Sequence, residues 1–192
     1  MKRRGVVRAL FALAAVCLLA DASYTEAKAW LAQELLERAW SRVESGETDA
    51  KPWPWADTAP VARLSVERLG IARIVLKGDS GRNLAFGPAW SEASALPGAQ
   101  GLSVISGHRD THFAFLRLLH NGDEVLIERA GVTTRYEVGA GRIVDARTTR
   151  LAPSDARDTL LLVTCYPFDS LVPGGPLRYV IEAHRSQPLA YR

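Results

Sequence analysis

Cys165, His108 and Arg178 are the side chains whose types and placement suit acyl transfer. Cys165 closes the apolar run L-L-L-V-T-C and is followed at once by Tyr166 and Pro167. Proline cannot donate to a strand ladder, so the strand ends there and the thiol lies at its mouth. A cysteine attacks as its thiolate and needs a base within reach. His108 comes after Ser106-Gly107, directly beyond the apolar residues 102–106, the same strand-end placement. If the two strands are neighbours, imidazole and thiol meet at one rim. Arg178 opens an apolar strand after the Gly/Pro loop G-G-P-L. Permanently charged and rich in donors, it can hold an oxyanion or a substrate carbonyl without joining proton transfer. Each residue alone has a plainer role: a core thiol, a surface imidazole, a salt-bridge arginine. His112 and His120 carry less weight as catalysts. His108, Asp110 and His112 lack the spacing of a metal motif, so no metal and no other cofactor is expected.

The chain has two cysteines, and Cys17 lies in an apolar run near the N-terminus. Beyond that run Cys165 stands alone and can form no internal disulfide. An unpaired thiol is a liability in an oxidising compartment, which favours a chemical role for it. The N-terminus argues for that compartment. Residues 1–20 hold Lys2, Arg3, Arg4 and Arg8 with no acid, and turn apolar from Ala9 to Ala20 before Asp21. The run is short for a spanning helix and right for the apolar stretch of an export signal. Counted from Gly5, with Arg8 snorkelling toward headgroups, it reaches 16 residues and could serve as an anchor. Ala20-Asp21-Ala22 matches an A-x-A cleavage site, so anchor and cleaved signal both stay open. In either case the leading positive charges place the catalytic body outside the cytoplasm. They also account for the basicity of the chain. Without residues 1–20 there are 20 basic against 21 acidic side chains. No clustered basic face remains for a nucleic acid.

The elements that must position these residues are set by periodicity. Residues 23–43 read as an amphipathic helix with Ala27, Leu31 and Leu35 on one stripe, Tyr24 nearby, and Trp30 and Trp40 widening it. The Pro-locked segment Lys51-Pro-Trp-Pro-Trp55 leads into the body, its rings covering an apolar surface. Strands are expected over residues 61–67, 71–76, 102–106, 125–129, 134–138, 160–164 and 178–183. A short helix is expected over 112–120, with Phe113, Leu116 and Leu119 at helical spacing and Asn121-Gly122 ending it. Many short strands with Gly/Pro turns and few helices point to an all-β body, a closed barrel or a sandwich. The expected partition is an N-terminal membrane anchor or signal over 1–22, the helix and Pro/Trp lead-in over 23–60, and a catalytic domain over 61–192.

With S-G-H-R-D at His108, L-V-T-C-Y-P at Cys165 and P-L-R-Y-V at Arg178, in that order, the chain resembles the sortase family. Asn83-Leu84, Gly87-Pro88 and Pro97-Gly98 on the approach to His108, and Asn121-Gly-Asp-Glu-Val125 after it, fit the same pattern. The resemblance runs over residues 61–183. The family often carries T-L-x-T-C at the nucleophile; here Leu161 takes the first Thr place, while Thr164 and Cys165 are kept. The Pro/Trp lead-in and single N-terminal apolar segment look most like the Gram-negative sortases. The resemblance implies an eight-stranded β-barrel that cleaves an LPxTG-like sorting signal between Thr and Gly. Cys165 would form a thioacyl-enzyme, His108 would move the proton, and Arg178 would steady the oxyanion or the substrate backbone. Thr164 is the implied substrate contact. The implied partners are a secreted or surface protein bearing a C-terminal signal and an amine acceptor.

An L,D-transpeptidase would need an S-H-G-C-type cluster with an arginine just after the cysteine, whereas Arg178 lies well beyond Cys165. Papain-like amidases place Cys before His, opposite to the order here. A membrane-tethered β-domain that only binds an extended peptide would have no reason to keep an activated thiol.

Overall fold

The computed structural model describes residues 2–151, 158–170 and 174–186; side chains before residue 26 are described only in part. The elements run α1 (Lys2–Glu44), β1 (Pro60–Val66), β2 (Ile71–Lys77), α2 (Gly81–Leu84), β3 (Ala89–Trp90), β4 (Leu102–Ser106), β5 (Glu124–Arg129), β6 (Val132–Asp145), β7 (Thr159–Cys165) and β8 (Leu177–Arg185). Short 3-10 helices cover Glu67–Leu69 and Ala114–Leu118.

The strands close into a barrel in the order β1-β2-β3-β4-β7-β8-β6-β5. This is the expected eight-stranded barrel, with few and short helices in its connections. The pairs β2–β3 and β4–β7 are parallel, and every other neighbouring pair is antiparallel. Alternation along each strand sends one set of side chains inward. Leu64, Val75, Ile105, Ile127, Leu160 and Leu162 are wholly buried in that interior. Phe113, Phe115, Leu116 and Leu119 from the β4–β5 connection belong to the same core cluster.

Several elements differ from the sequence expectation for identifiable reasons. The segment after His112 is a 3-10 helix, not an α-helix. Phe113, Leu116 and Leu119 recur every three residues, the period at which 3-10 side chains eclipse. Strand β6 continues through Gly139 and Gly141, with its register shifting between Val138 and Gly141. At Gly141 a Cβ would sit 2.1 Å from Tyr179 Oη, so glycine there admits a tyrosine from the neighbouring strand. β3 contributes two residues that no periodicity marks.

α1 packs on the barrel through a stripe other than the expected one. Leu36, Ala39 and Trp40 are buried, with Ala32 nearly so, while Leu31 is 50% and Trp30 69% exposed. Leu36 and Trp40 form a second apolar cluster with Ile74, Leu76 and Ala89 on the outside of β2 and β3. Small alanines on this face let the helix approach the sheet closely, whereas the larger Tyr24–Leu31 side chains point away from it. Arg63 Nη2 donates to Glu37 Oε2 (2.7 Å) across the junction, and Gln33 Nε2 donates to Phe86 O (2.8 Å). In the Pro/Trp lead-in only one ring covers apolar surface. Trp53 meets Phe86 edge-on at 5.0 Å, whereas Trp55 is 83% exposed. The helix runs unbroken through residue 22. Among the described residues no helix is long and apolar enough to cross a membrane. Most side chains of the apolar run 9–20, Cys17 included, lie outside the described residues, and with them the expected anchor.

Candidate active site

The three residues expected to do chemistry come from adjacent strands and reach the same end of the barrel. β7 and β8 are antiparallel with Cys165 directly opposite Arg178. Residues so paired have Cβ atoms about 4.5–5.5 Å apart. β4 runs parallel to β7 with Ser106 level with Val163. Gly107 extends the ladder by donating its N–H to Val163 O (3.0 Å). His108, the next residue, therefore leaves the sheet beside Cys165. The strand-end placement expected from Gly107, Pro167 and the G-G-P-L loop is the placement found.

Alternation also fixes which way these side chains point. Leu160 and Leu162 of β7 face the barrel interior, while Leu161 and Val163 belong to an apolar cluster with Val180 on the outer face. Cys165 and Arg178 fall in the outward set, in line with Val163 and Val180. Leu102, Val104 and Val144 pack against this cluster and widen an apolar floor leading to the thiol. Cys165 is a free, half-buried cysteine at the edge of that floor, and His108 is exposed beside it. Arg178 Nη1 donates to Gly175 O (2.7 Å) and Leu177 O (2.9 Å). These bonds engage one terminal nitrogen and leave the guanidinium other donors for an acceptor near the thiol.

Thr164, implied as a substrate contact, takes a different role. It is 2% exposed on the inward face, and its Oγ1 donates to Gly107 O at 2.7 Å. A side chain one residue from Cys165 must face the opposite side of the sheet, so Thr164 stitches β7 to the turn that carries His108. The close seat of that turn has a second cause. A Cβ at Gly107 would lie 2.6 Å from Phe113 Cγ, and Phe113 N donates to His108 O (2.9 Å).

His112 stands apart from His108 and Cys165, with Nε2 3.5 Å from Ala85 O. Burial lowers its pKa, the Ala85 carbonyl opposes this, and the charges of Arg73 and His108 lower it further. Among the described residues no three His, Cys, Asp or Glu side chains gather as a metal site would need.

Two features were not visible in the sequence. Arg109, between His108 and an exposed Asp110, reads as a surface charge, yet it is only 5% exposed. Its Nη1 donates to Pro167 O (2.7 Å) and its Nη2 to Ser170 O (2.6 Å), in the loop just after Cys165. The second is an aromatic group behind the Cys165–Arg178 rung. Phe168 and Tyr179 meet edge-on at 5.3 Å, and Tyr166 stacks on Tyr179 at 6.5 Å. The alternation of 166, 168 and 179 hinted at neither contact, because the loop that folds them together obeys no period.

The chain is similar to known proteins. A family model for the sortase domain matches residues 64–186. Sortase D of Bacillus subtilis (strain 168) is 31% identical over 123 residues, which span 64% of this chain and 62% of that protein. Among solved structures, sortase A from Corynebacterium diphtheriae superposes with a TM-score of 0.62 at 25% identity, covering 84% of this chain and 86% of the other. A Clostridium perfringens sortase D5 transpeptidase shares the fold at a TM-score of 0.61 and 20% identity, over 82% of this chain and 99% of the other. With a matched domain that covers the barrel almost from end to end, this chain belongs to the sortase family.

Proposed function

We propose that the chain is a cysteine transpeptidase that cleaves an LPxTG-like sorting signal of a secreted or surface protein between Thr and Gly and transfers the acyl fragment ending in Thr to an amine. The observation that carries this reading is the rung pairing Cys165 with Arg178, beside which the β4–β7 register delivers His108. Cys165 Sγ attacks the Thr carbonyl carbon; the oxygen gains charge and Arg178 donates to it. As the tetrahedral species collapses, the C–N bond breaks and protonated His108 gives its proton to the leaving amine. A thioacyl-enzyme remains. The incoming amine then attacks the same carbon, His108 takes its proton, the C–S bond breaks and the thiolate is restored. The apolar floor of Val163, Val180 and Val104 beside the thiol suits the apolar half of such a signal.

The N-terminal segment is proposed to tether the barrel to the cytoplasmic membrane with its catalytic end outside, in the periplasm where there is an outer membrane. The support for this is the order of basic and apolar residues over 1–20.

Intact-mass spectrometry tests the chemistry. Protein incubated with a library of LPxTG-type peptides and an amine acceptor is expected to carry an acyl adduct on Cys165 and to release amine-linked product. Absence of any adduct, together with a Cys165 that ignores alkylating reagents, would sink the reading in favour of a peptide-binding module.

A further inference from the structure

Nothing in the proposed reaction explains why an arginine adjacent to the base should be buried. Arg109 is 5% exposed, and a guanidinium withdrawn from water is costly unless its donors are met. Here they are met by the loop that leaves the nucleophile. Nη1 and Nη2 reach the carbonyls of Pro167 and Ser170, two and five residues beyond Cys165, and Nε reaches Asp110 Oδ1 (3.1 Å).

The position of these bonds matters more than their number. Among the described residues the β4–β7 ladder fixes the two strands to each other as far as Gly107 N–Val163 O and Thr164 Oγ1–Gly107 O. Beyond that point both chains leave the sheet. His108 and Cys165 are then each held by their own turn, and two turns departing from a sheet end are free to splay. The Arg109 guanidinium spans that gap and joins the turn of the base to the turn of the nucleophile. Its planar fork meets two carbonyls in fixed directions, which a single ammonium cannot reproduce.

We propose that Arg109 is a positioning residue that sets the separation of His108 from Cys165. This role rests on the proposed reaction of the same pair. Misplacing a reacting group by about 1 Å costs about a hundredfold in rate, so loss of the clamp should lower kcat by about that factor and leave KM nearly unchanged. The floor that would seat the peptide is built from β4, β6, β7 and β8 and does not use Arg109.

The test reads the thiol directly. The rate of Cys165 alkylation by iodoacetamide is measured against pH in wild type, Arg109→Met, Arg109→Lys and His108→Ala. Wild type should show a low-pH limb of reactivity that H108A lacks. Arg109→Met should lose that limb and match H108A, while Arg109→Lys, which can still meet one carbonyl, should keep part of it and recover part of kcat. A far-ultraviolet spectrum accompanies each variant, and if Arg109→Met does not fold, Arg109→Lys alone decides through its kcat and KM. An R109M or R109K profile and kcat identical to wild type would overturn the role of Arg109 alone. A wild-type profile already identical to H108A would overturn the His108–Cys165 pair itself, and the clamp with it.

Discussion

Replacing Thr164 by valine removes one oxygen from the heart of the site and little else. Thr164 is 2% exposed, and its hydroxyl donates to Gly107 O at 2.7 Å. Valine nearly matches threonine in shape and favours strands, so on hydrophobicity and propensity alone the variant should be as stable or more so. The hydrogen bond argues the other way. Leaving a buried carbonyl without its donor costs about 1–3 kcal/mol, more than the extra apolar methyl returns. Set against about 0.8 kcal/mol returned by the methyl, the expected result is a net loss of up to about 2 kcal/mol in urea unfolding with an unchanged m-value. For a chain of this size each kcal/mol lowers Tm by about 2–4 °C. Thr164→Ser keeps the donor and loses a methyl, and should cost about 1 kcal/mol. If Thr164→Val equals or exceeds wild type while Thr164→Ser falls below both, the site is held by apolar volume and the stitch to Gly107 does not matter.

Other outcomes are expected. Cys165→Ala should abolish turnover without disturbing the melting curve, while His108→Ala and Arg178→Ala should each lower kcat by about a hundredfold or more in single-turnover assays. Gly107→Ala drives a methyl into the Phe113 ring, 2.6 Å from Cγ. Overpacking of that kind costs about 1–3 kcal/mol, seen as a lower Tm. Trp40→Ala empties a wholly buried site between α1 and β2. The loss should be about 3–5 kcal/mol, enough to free the helix to limited proteolysis while the barrel core persists. Asp158 has its pKa lowered, chiefly by the Gly101 N–H and then by Arg185, against the opposing effect of burial. A carboxylate whose folded pKa is depressed stabilises fully above its unfolded value of about 3.9 and loses that stabilisation as pH falls through the folded value. Asp158→Asn should therefore flatten the acid limb of Tm against pH and be neutral-to-destabilising above it.

The sequence was most legible where punctuation is local. Ser106-Gly107, Tyr166-Pro167 and the G-G-P-L loop each mark a strand end through residues that touch it in the chain, and His108, Cys165 and Arg178 are found at those ends. β4 matches its expected residues for the same reason. The features that escaped depend on residues far away in the chain. Gly139 and Gly141 look like strand breakers until Tyr179 is placed against Gly141. The α1 stripe was misread because a helix with many apolar residues offers more than one stripe. The choice of Leu36 and Trp40 over Leu31 is made by Ile74 and Leu76 on the barrel. The burial of Arg109 and the inward turn of Thr164 arise from parity and loop geometry, which composition does not carry.

The way the barrel closes bears on the order in which Cys165, Arg178 and His108 come together. Pairings such as β1–β2, β5–β6 and β7–β8 join strands that are consecutive in sequence. Such neighbours pay little loop entropy and can associate early. The β7–β8 pair already places Arg178 opposite Cys165. His108 arrives only with β4–β7, where Ser106 meets Val163 across the whole β5–β6 segment. Distant, parallel pairing of that kind is slow. A partly folded chain can thus hold Cys165 opposite Arg178 before His108 stands beside them. Bringing the three residues to one rim therefore requires the closed barrel, and the β7–β8 hairpin alone does not suffice.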